Sequence, residues 1–225
     1  MTDLAVSLRE IDGRIGRACA RAGRGREEIT LVAVTKTHGP ALVRAAIAAG
    51  IGDIGENRVQ EARGKIAEVG ARARWHLIGH LQSNKANEAA RLFDVVQSVD
   101  SEELAAKLGR AAAAEGKTID VFVQVNVGGE QQKSGVEPDE AAALVRAVDA
   151  TPSLRLRGLM TVPPFLAPEE VRPYFQELRA LRDRLRASCE NCRELSMGMS
   201  DDFEVAIEEG ATMIRLGRAL FGERE

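Results

Sequence analysis

The stretch "LVAVTKTHG", residues 31–39, runs apolar residues straight into a threonine, a lysine and a loop. A continuous apolar run, with no polar alternation, is what a strand shows when both faces of its sheet are covered, as in a parallel sheet wrapped by helices. The fold then depends on how many such strands follow. The chemistry depends on whether Lys36 is a solvated side chain or an amine at the mouth of a pocket.

Starting from "ITLVAVT" (29–35), seven more segments read as buried strands: "DIGE" (53–56), "RWHLIG" (74–79), "FDVVQSV" (93–99), "TIDVFVQVNV" (118–127), "LRLRGLM" (154–160), "RELSMG" (193–198) and "TMIRLG" (212–217). Helical patterns lie between them. "PALVRAAIAAG" opens on Pro40, which a first turn tolerates, and stops at Gly50. "SEELAAKLGRAAAAEG" begins with a capping-box signature at Ser101 and ends at Gly116. "PEEVRPYFQELRALRDRL" sets Val171, Tyr174, Phe175, Leu178, Leu181 and Leu185 on one stripe. An additional helix precedes the first strand, with Leu4, Leu8, Ile11, Ile15 and Cys19 on one side. Eight strands alternating with helices predict an α/β fold, a single (β/α)8 TIM barrel with an extra N-terminal helix, over residues 1–225 as one domain. An open doubly wound sheet competes, but no G-x-G-x-x-G follows the first strand.

Bulk properties agree with one well-buried core. The 225 residues are 44% hydrophobic and 29% charged, and 31 Lys+Arg nearly balance 34 Asp+Glu. A net charge of -3 offers no basic footprint for nucleic acid and no polybasic membrane patch. The start, "MTDLAVSLREIDGRI", carries acids among its apolar residues, so it is not expected to be a signal peptide, and no apolar run reaches transmembrane length. Three cysteines fit a reducing compartment, so a cytoplasmic protein is expected.

In such barrels functional groups sit at the C-terminal ends of the strands, where Lys36 falls, and the loops after strands 7 and 8 commonly bind phosphate. Here those loops read "SMGMSDD" and "RLGRALFG". Gly198 and Gly217 would let backbone N–H groups approach an anion, Ser200 adds a hydroxyl, and helices expected near Asp201 and Arg218 add positive dipole ends. Two ordinary turns with an N-cap serine account for the same residues equally well. Arg215 lies inside the last strand. By alternation it points either into the barrel, where it needs a partner, or outward to an acid such as Glu208 or Glu209. An amine, a phosphate cradle and an inward arginine at one mouth would suit a small phosphorylated aldehyde with a ring nitrogen, a description that pyridoxal 5'-phosphate meets.

Through "VAVTKT", "GENRVQEA", "WHLIGHLQSNKAN", "SVDS", "VQVNVGGEQQKSGV", "GLMTVPP" and "LSMGMSDDFEVAIEEGATMIRLGRALFG", in that order, the sequence resembles the pyridoxal 5'-phosphate homeostasis proteins over nearly its whole length. The resemblance implies a barrel like the N-terminal domain of alanine racemase, with Lys36 as the Schiff-base lysine. It implies Asn57 beside the cofactor ring and Arg215 at the pyridine nitrogen. Ser200, Gly217 and Arg218 would surround the phosphate, with the part played by the Arg218 side chain left open. An arginine at the ring nitrogen leaves that nitrogen unprotonated and weakens the cofactor as an electron sink. The racemases also supply a second acid–base group, a tyrosine from an additional β domain. The one tyrosine here, Tyr174, belongs to a packing stripe. The implied function is intracellular storage and delivery of pyridoxal 5'-phosphate by a monomer, with apo enzymes as partners and without substantial catalysis. A pyridoxal-phosphate-dependent racemase-like enzyme is the alternative. A class I aldolase built on Lys36 is a third reading, with no acid–base set to serve it.

Other motifs carry less. "CENC" (189–192) follows a helix, whereas redox C-x-x-C pairs open one, and Cys19 is far away. His76 and His80 are separated by Gly79 at a strand end, so they do not share a helix face. "NVGGEQQKSG" reads as a flexible loop after strand 5 lying over the barrel mouth, where Lys133 either helps an incoming ligand or is merely solvated, the second being favoured. "VPPF" (162–165) reads as a stiff pocket rim.

Overall fold

A computed structural model describes residues 4–70, 72–130 and 132–222, so both ends of the expected 1–225 domain lie outside the described residues. Helix α1 (Leu4–Arg21) comes first, and the strands follow as β1 (Thr30–Val34), β2 (Asp53–Glu56), β3 (Arg74–Leu77), β4 (Val95–Val99), β5 (Ile119–Gln124), β6 (Leu154–Met160), β7 (Glu194–Ser196) and β8 (Met213–Leu216). Helices α2 (Pro40–Ala48), α3 (Val59–Val69), α4 (Ala86–Leu92), α5 (Glu102–Ala114), α6 (Ala141–Asp149), α7 (Pro168–Arg186), α8 (Phe203–Glu208) and α9 (Arg218–Phe221) alternate with them. Every pairing is parallel, and β8 returns to β1 with Val32 opposite Arg215, closing an eight-stranded barrel as the sequence pattern predicts. Closure leaves no strand edge unpaired.

Several strands are shorter than their apolar runs. The run around β5 continues to Val127, but the ladder ends at Gln124. There the chain doubles back, with the Val136 N–H donating to the Gln124 carbonyl and the Asn126 N–H to the Val136 carbonyl. Gly135, at φ 123°, makes the return possible in a region that favours glycine.

The main core lies between barrel and helices. On α7 the predicted stripe is buried at Val171, Phe175, Leu178, Leu181 and Leu185, while Tyr174 is half-buried against the same core. On α1, Ile11, Ile15 and Cys19 are buried, with Leu4 and Leu8 packed at the edge. Ser101 caps α5 by accepting from the Leu104 N–H at 3.2 Å. The box is not completed, because Leu104 occupies the position whose acid would bond back.

Inside the barrel, Val32, Val95, Phe122, Met160 and Met213 form a small apolar layer. Below it the floor is ionic: the buried Asp120 carboxylate is shared by Arg74 and by Arg155, the latter at 2.5 Å. Above it lies the mouth.

Candidate functional site

Strand parity decides which residues reach the mouth. On β1, Val32 faces the barrel interior, so Val34 and then Lys36 follow on the same side. On β2, Asp53 and Gly55 lead by the same parity to Asn57. On β8, Met213 leads to Arg215 and Gly217. A cavity of about 450 Å³ opens there, walled by Val34, Ile78 and Met199 and containing Lys36, Asn57, Ser200, Arg215, Gly217 and Arg218. All six residues singled out in the sequence therefore line one space. A hollow of about 550 Å³ lies at the opposite end of the barrel beside Asp53. That is the wrong end of the strands for chemistry in this architecture, and Arg26 in its wall is bound to Asp12 and to the Ile29 carbonyl.

Arg215 points inward and is buried, which settles the question its strand position raised. The outward alternative fails because Glu208 and Glu209 are held by Arg172, each at 2.8 Å. One Arg215 amino group donates to the Ser196 hydroxyl at 2.6 Å and the other to the Thr161 carbonyl at 2.7 Å. Ser196 donates in turn to Gln97 Oε1 at 2.6 Å, Gln97 Nε2 lies 2.9 Å from His76 Nδ1, and His76 Nε2 lies 2.8 Å from Asp53 Oδ1. A hydrogen-bond relay thus runs from the cation at the mouth to a carboxylate at the floor. With Gln97 donating to Nδ1, the His76 proton sits on Nε2. Burial lowers the pKa of His76, keeping it neutral, and lowers that of Arg215 to about 10, where it is still a cation at neutral pH.

Around the anion end, Gly198 adopts φ 95°, the conformation that lets the loop after β7 turn beneath the cavity. A Cβ on Gly217 would lie 3.3 Å from the Val34 carbonyl oxygen, so the loop after β8 presents bare backbone. Ser200 Oγ accepts from the Ala219 N–H at 3.1 Å, and Arg218 donates to the Asp201 carboxylate. The dipole expectation is corrected here: α8 has six residues and α9 four, too short for a large macrodipole. What these loops supply is N–H groups, a hydroxyl and a guanidinium.

The loop after β5 folds back over the mouth as its sequence suggests, and Lys133, for which the sequence favours solvation over a part in ligand binding, lines the cavity; its amine pairs with Glu130 and donates to the Pro163 carbonyl at 2.9 Å. Two features were not read from the sequence. Asp202 also lines the cavity, accepts from the Met199 N–H at 2.6 Å, and has its pKa raised by burial. The relay residues Ser196, Gln97 and His76 were signalled only as polar letters inside apolar strand runs. The expected rim is present, with Pro163, Pro164 and an 86% exposed Phe165 at the edge of the cavity.

His80 lies outside this cavity, paired with Asp100 at 3.1 Å. Cys189 and Cys192 are buried, and burial pushes the Cys192 thiol up to about 12. Among the described residues no cluster of His, Cys, Asp or Glu could hold a metal ion, and no helix is long and apolar enough to cross a membrane.

The mouth fits the cofactor the sequence implies. An amine and a buried cationic donor face one small cavity, apolar walls suit a flat ring, and convergent donors for an anion lie in the loops after β7 and β8. Comparison with known proteins points the same way. A family model described as "Alanine racemase, N-terminal domain" matches residues 6–225. The chain is 44% identical over 215 residues to the pyridoxal phosphate homeostasis protein of Aquifex aeolicus, covering 94% of each chain. It is similar to the structure of PipY from Synechococcus elongatus with PLP bound, at 36% identity and TM-score 0.86, covering 98% of this chain and 100% of that one. An alanine racemase of Clostridium difficile, 16% identical with TM-score 0.78, is like it in fold alone, and the chain spans 57% of its length.

Proposed function

This chain belongs to the family of pyridoxal phosphate homeostasis proteins and carries the alanine racemase N-terminal domain, and on that premise we propose that it stores and delivers pyridoxal 5'-phosphate by reversible attachment at Lys36. The observation that carries the reading is one cavity containing Lys36, Arg215 and the Ser200–Gly217–Arg218 group together. When bound, the cofactor supplies an aldehyde that condenses reversibly with a primary amine.

Each residue then has a task. Lys36 provides the amine. Arg215, fixed by Ser196 and Thr161, donates a hydrogen bond at the ring nitrogen without surrendering its proton. Asn57 borders the ring, and Ser200, the Gly217 backbone and Arg218 bind phosphate oxygens. Val34, Ile78 and Met199 exclude water from the ring faces. Little turnover is expected, because the other groups that could move a proton are engaged: Lys133 by Glu130, Asp201 by Arg218 and Asp202 by the Met199 N–H. Tyr174 packs on α7 and does not line the cavity. The racemase-like alternative has only a distant likeness of fold in its favour. The protein is proposed to work in the cytoplasm as a monomer, with apo enzymes that need this cofactor as recipients.

Mixing loaded protein with an apo pyridoxal-phosphate enzyme tests the reading. Restored recipient activity is expected, together with no sustained reaction of L- or D-amino acids. Turnover at about 1 per second or faster, an ordinary enzyme rate, would replace the carrier with the racemase-like enzyme.

A further inference from the structure

Three charged residues that do not line the cavity hold the chain on both sides of Lys36. Lys65 on α3 is buried, and its ammonium donates to the Thr35 carbonyl at 2.6 Å, to Glu56 at 2.7 Å and to Glu61 at 2.7 Å. The same Glu56 oxygen accepts from the Thr35 hydroxyl, and the same Glu61 oxygen accepts from the Thr37 N–H. Thr35 is therefore gripped at its carbonyl and hydroxyl, and Thr37 at its amide, with Lys36 between them.

Two further observations say that this grip does more than fill space. Thr37 sits at φ 70°, a left-handed conformation that a β-branched residue rarely adopts and that persists only where its surroundings over-determine it. The second Glu56 oxygen is buried without a hydrogen-bond partner, and burial raises the pKa of that carboxyl. Buried ion pairs of this kind are poor stabilisers compared with apolar packing, so their presence calls for a positional reason.

We propose that Glu56, Lys65 and Glu61 form a clamp that positions Lys36 for attack on an aldehyde. The inference rests on the cofactor reading above. In the step it serves, the amine nitrogen bonds to the aldehyde carbon, and the carbonyl oxygen leaves as water with both amine hydrogens. Hydrolysis reverses it. Because none of the three side chains reaches the cavity, they are positioning residues, and their loss should slow this step without emptying the site.

The test compares Lys65→Met, Glu61→Gln and Glu61→Ala with the wild type by three readouts. Binding of pyridoxine 5'-phosphate, which lacks the aldehyde, should stay within twofold. The rate of borohydride-trapped attachment of pyridoxal 5'-phosphate should fall at least tenfold in Lys65→Met and Glu61→Ala. Glu61→Gln, which keeps an acceptor for the Thr37 amide, should lose less. In protein without cofactor, exchange of the Thr37 amide hydrogen should accelerate at least tenfold in Glu61→Ala. Equal losses in both ligand assays, or an unchanged trapping rate, would overturn the clamp. A wild type that gives no adduct would sink the cofactor reading itself. In that case the Thr37 exchange alone decides whether the clamp exists.

Discussion

Replacing Ser196 by alanine breaks the relay beneath Arg215 at its most loaded point. The hydroxyl accepts from the guanidinium at 2.6 Å and donates to Gln97 at 2.6 Å, and Ser196, Gln97 and Arg215 are all buried. A bond to a charged group contributes ~1.5–3 kcal/mol and a neutral one ~0.5–1.5 kcal/mol, and the groups left behind cannot turn to water. Ser196→Ala should therefore cost about 2–4 kcal/mol, which for a chain of this size lowers the midpoint of thermal unfolding by roughly 5–15 °C. Urea unfolding followed by fluorescence measures the loss cleanly, because the only tryptophan, Trp75, is buried on β3 next to His76. The urea dependence should keep its slope, since the surface exposed on unfolding hardly changes. A double-mutant cycle with Gln97→Leu should return a coupling of about 0.5–3 kcal/mol, as for residues sharing one network. A Ser196→Ala loss below ~1 kcal/mol, no larger than that of the exposed cap variant Ser101→Ala, would mean that the relay does not support Arg215.

The relay also fixes a pH dependence. His76 is held neutral by burial, so above its ordinary value of about 6.5 both folded and unfolded chains leave it uncharged and stability is full. As pH falls below that value the unfolded chain takes up a proton the folded one refuses, and stability drops by up to ~1.4 kcal/mol per pH unit. Buried Glu56 and Asp202, whose pKa values are raised, act in the opposite sense, so the quantity to measure is wild type minus His76→Gln between pH 7.5 and 5. No difference in slope would refute the assignment. Gly198→Ala forces an alanine to φ 95° with its Cβ 2.6 Å from that of Ala206, and should cost at least ~1–3 kcal/mol in a denaturant melt. Gly217→Ala, with ordinary φ and a nearest approach of 3.3 Å, should cost clearly less. Thiol reagents should find Cys19, Cys189 and Cys192 only after unfolding, and rapid labelling of native protein would contradict their burial.

The barrel was legible because a strand covered on both faces must be apolar on both faces, and eight such runs separated by helical stripes fit one closed sheet. Lys36, Ser200, Gly217 and Arg218 were legible because they follow strand ends, and strand ends converge in this architecture, whereas Asn57 was implied by the family resemblance alone. Arg215 was ambiguous, since alternation gives two faces and only register chooses between them. Pairing of Val32 with Arg215 places its side chain inward. The Ser196–Gln97–His76–Asp53 relay was not legible, because it joins four strands through single polar residues whose facing depends on that same register. Nor was the Glu56–Lys65–Glu61 clamp, in which Lys65 and Glu61 lie one helical turn apart but bind groups from β2 and the loop after β1. The loop carrying Lys133 was legible as a cover over the mouth, but which of its side chains enters the cavity was not, because that is set by backbone hydrogen bonds of the returning loop and not by residue pattern.

The most direct test of the central claim is borohydride reduction of protein saturated with pyridoxal 5'-phosphate, followed by peptide mass mapping. A single stable pyridoxyl adduct on Lys36 is expected and, before reduction, visible absorption that reduction abolishes. Modification of Lys133, the other lysine lining the cavity, with Lys36 unmodified would contradict it, as would a protein that binds the cofactor without any reducible bond.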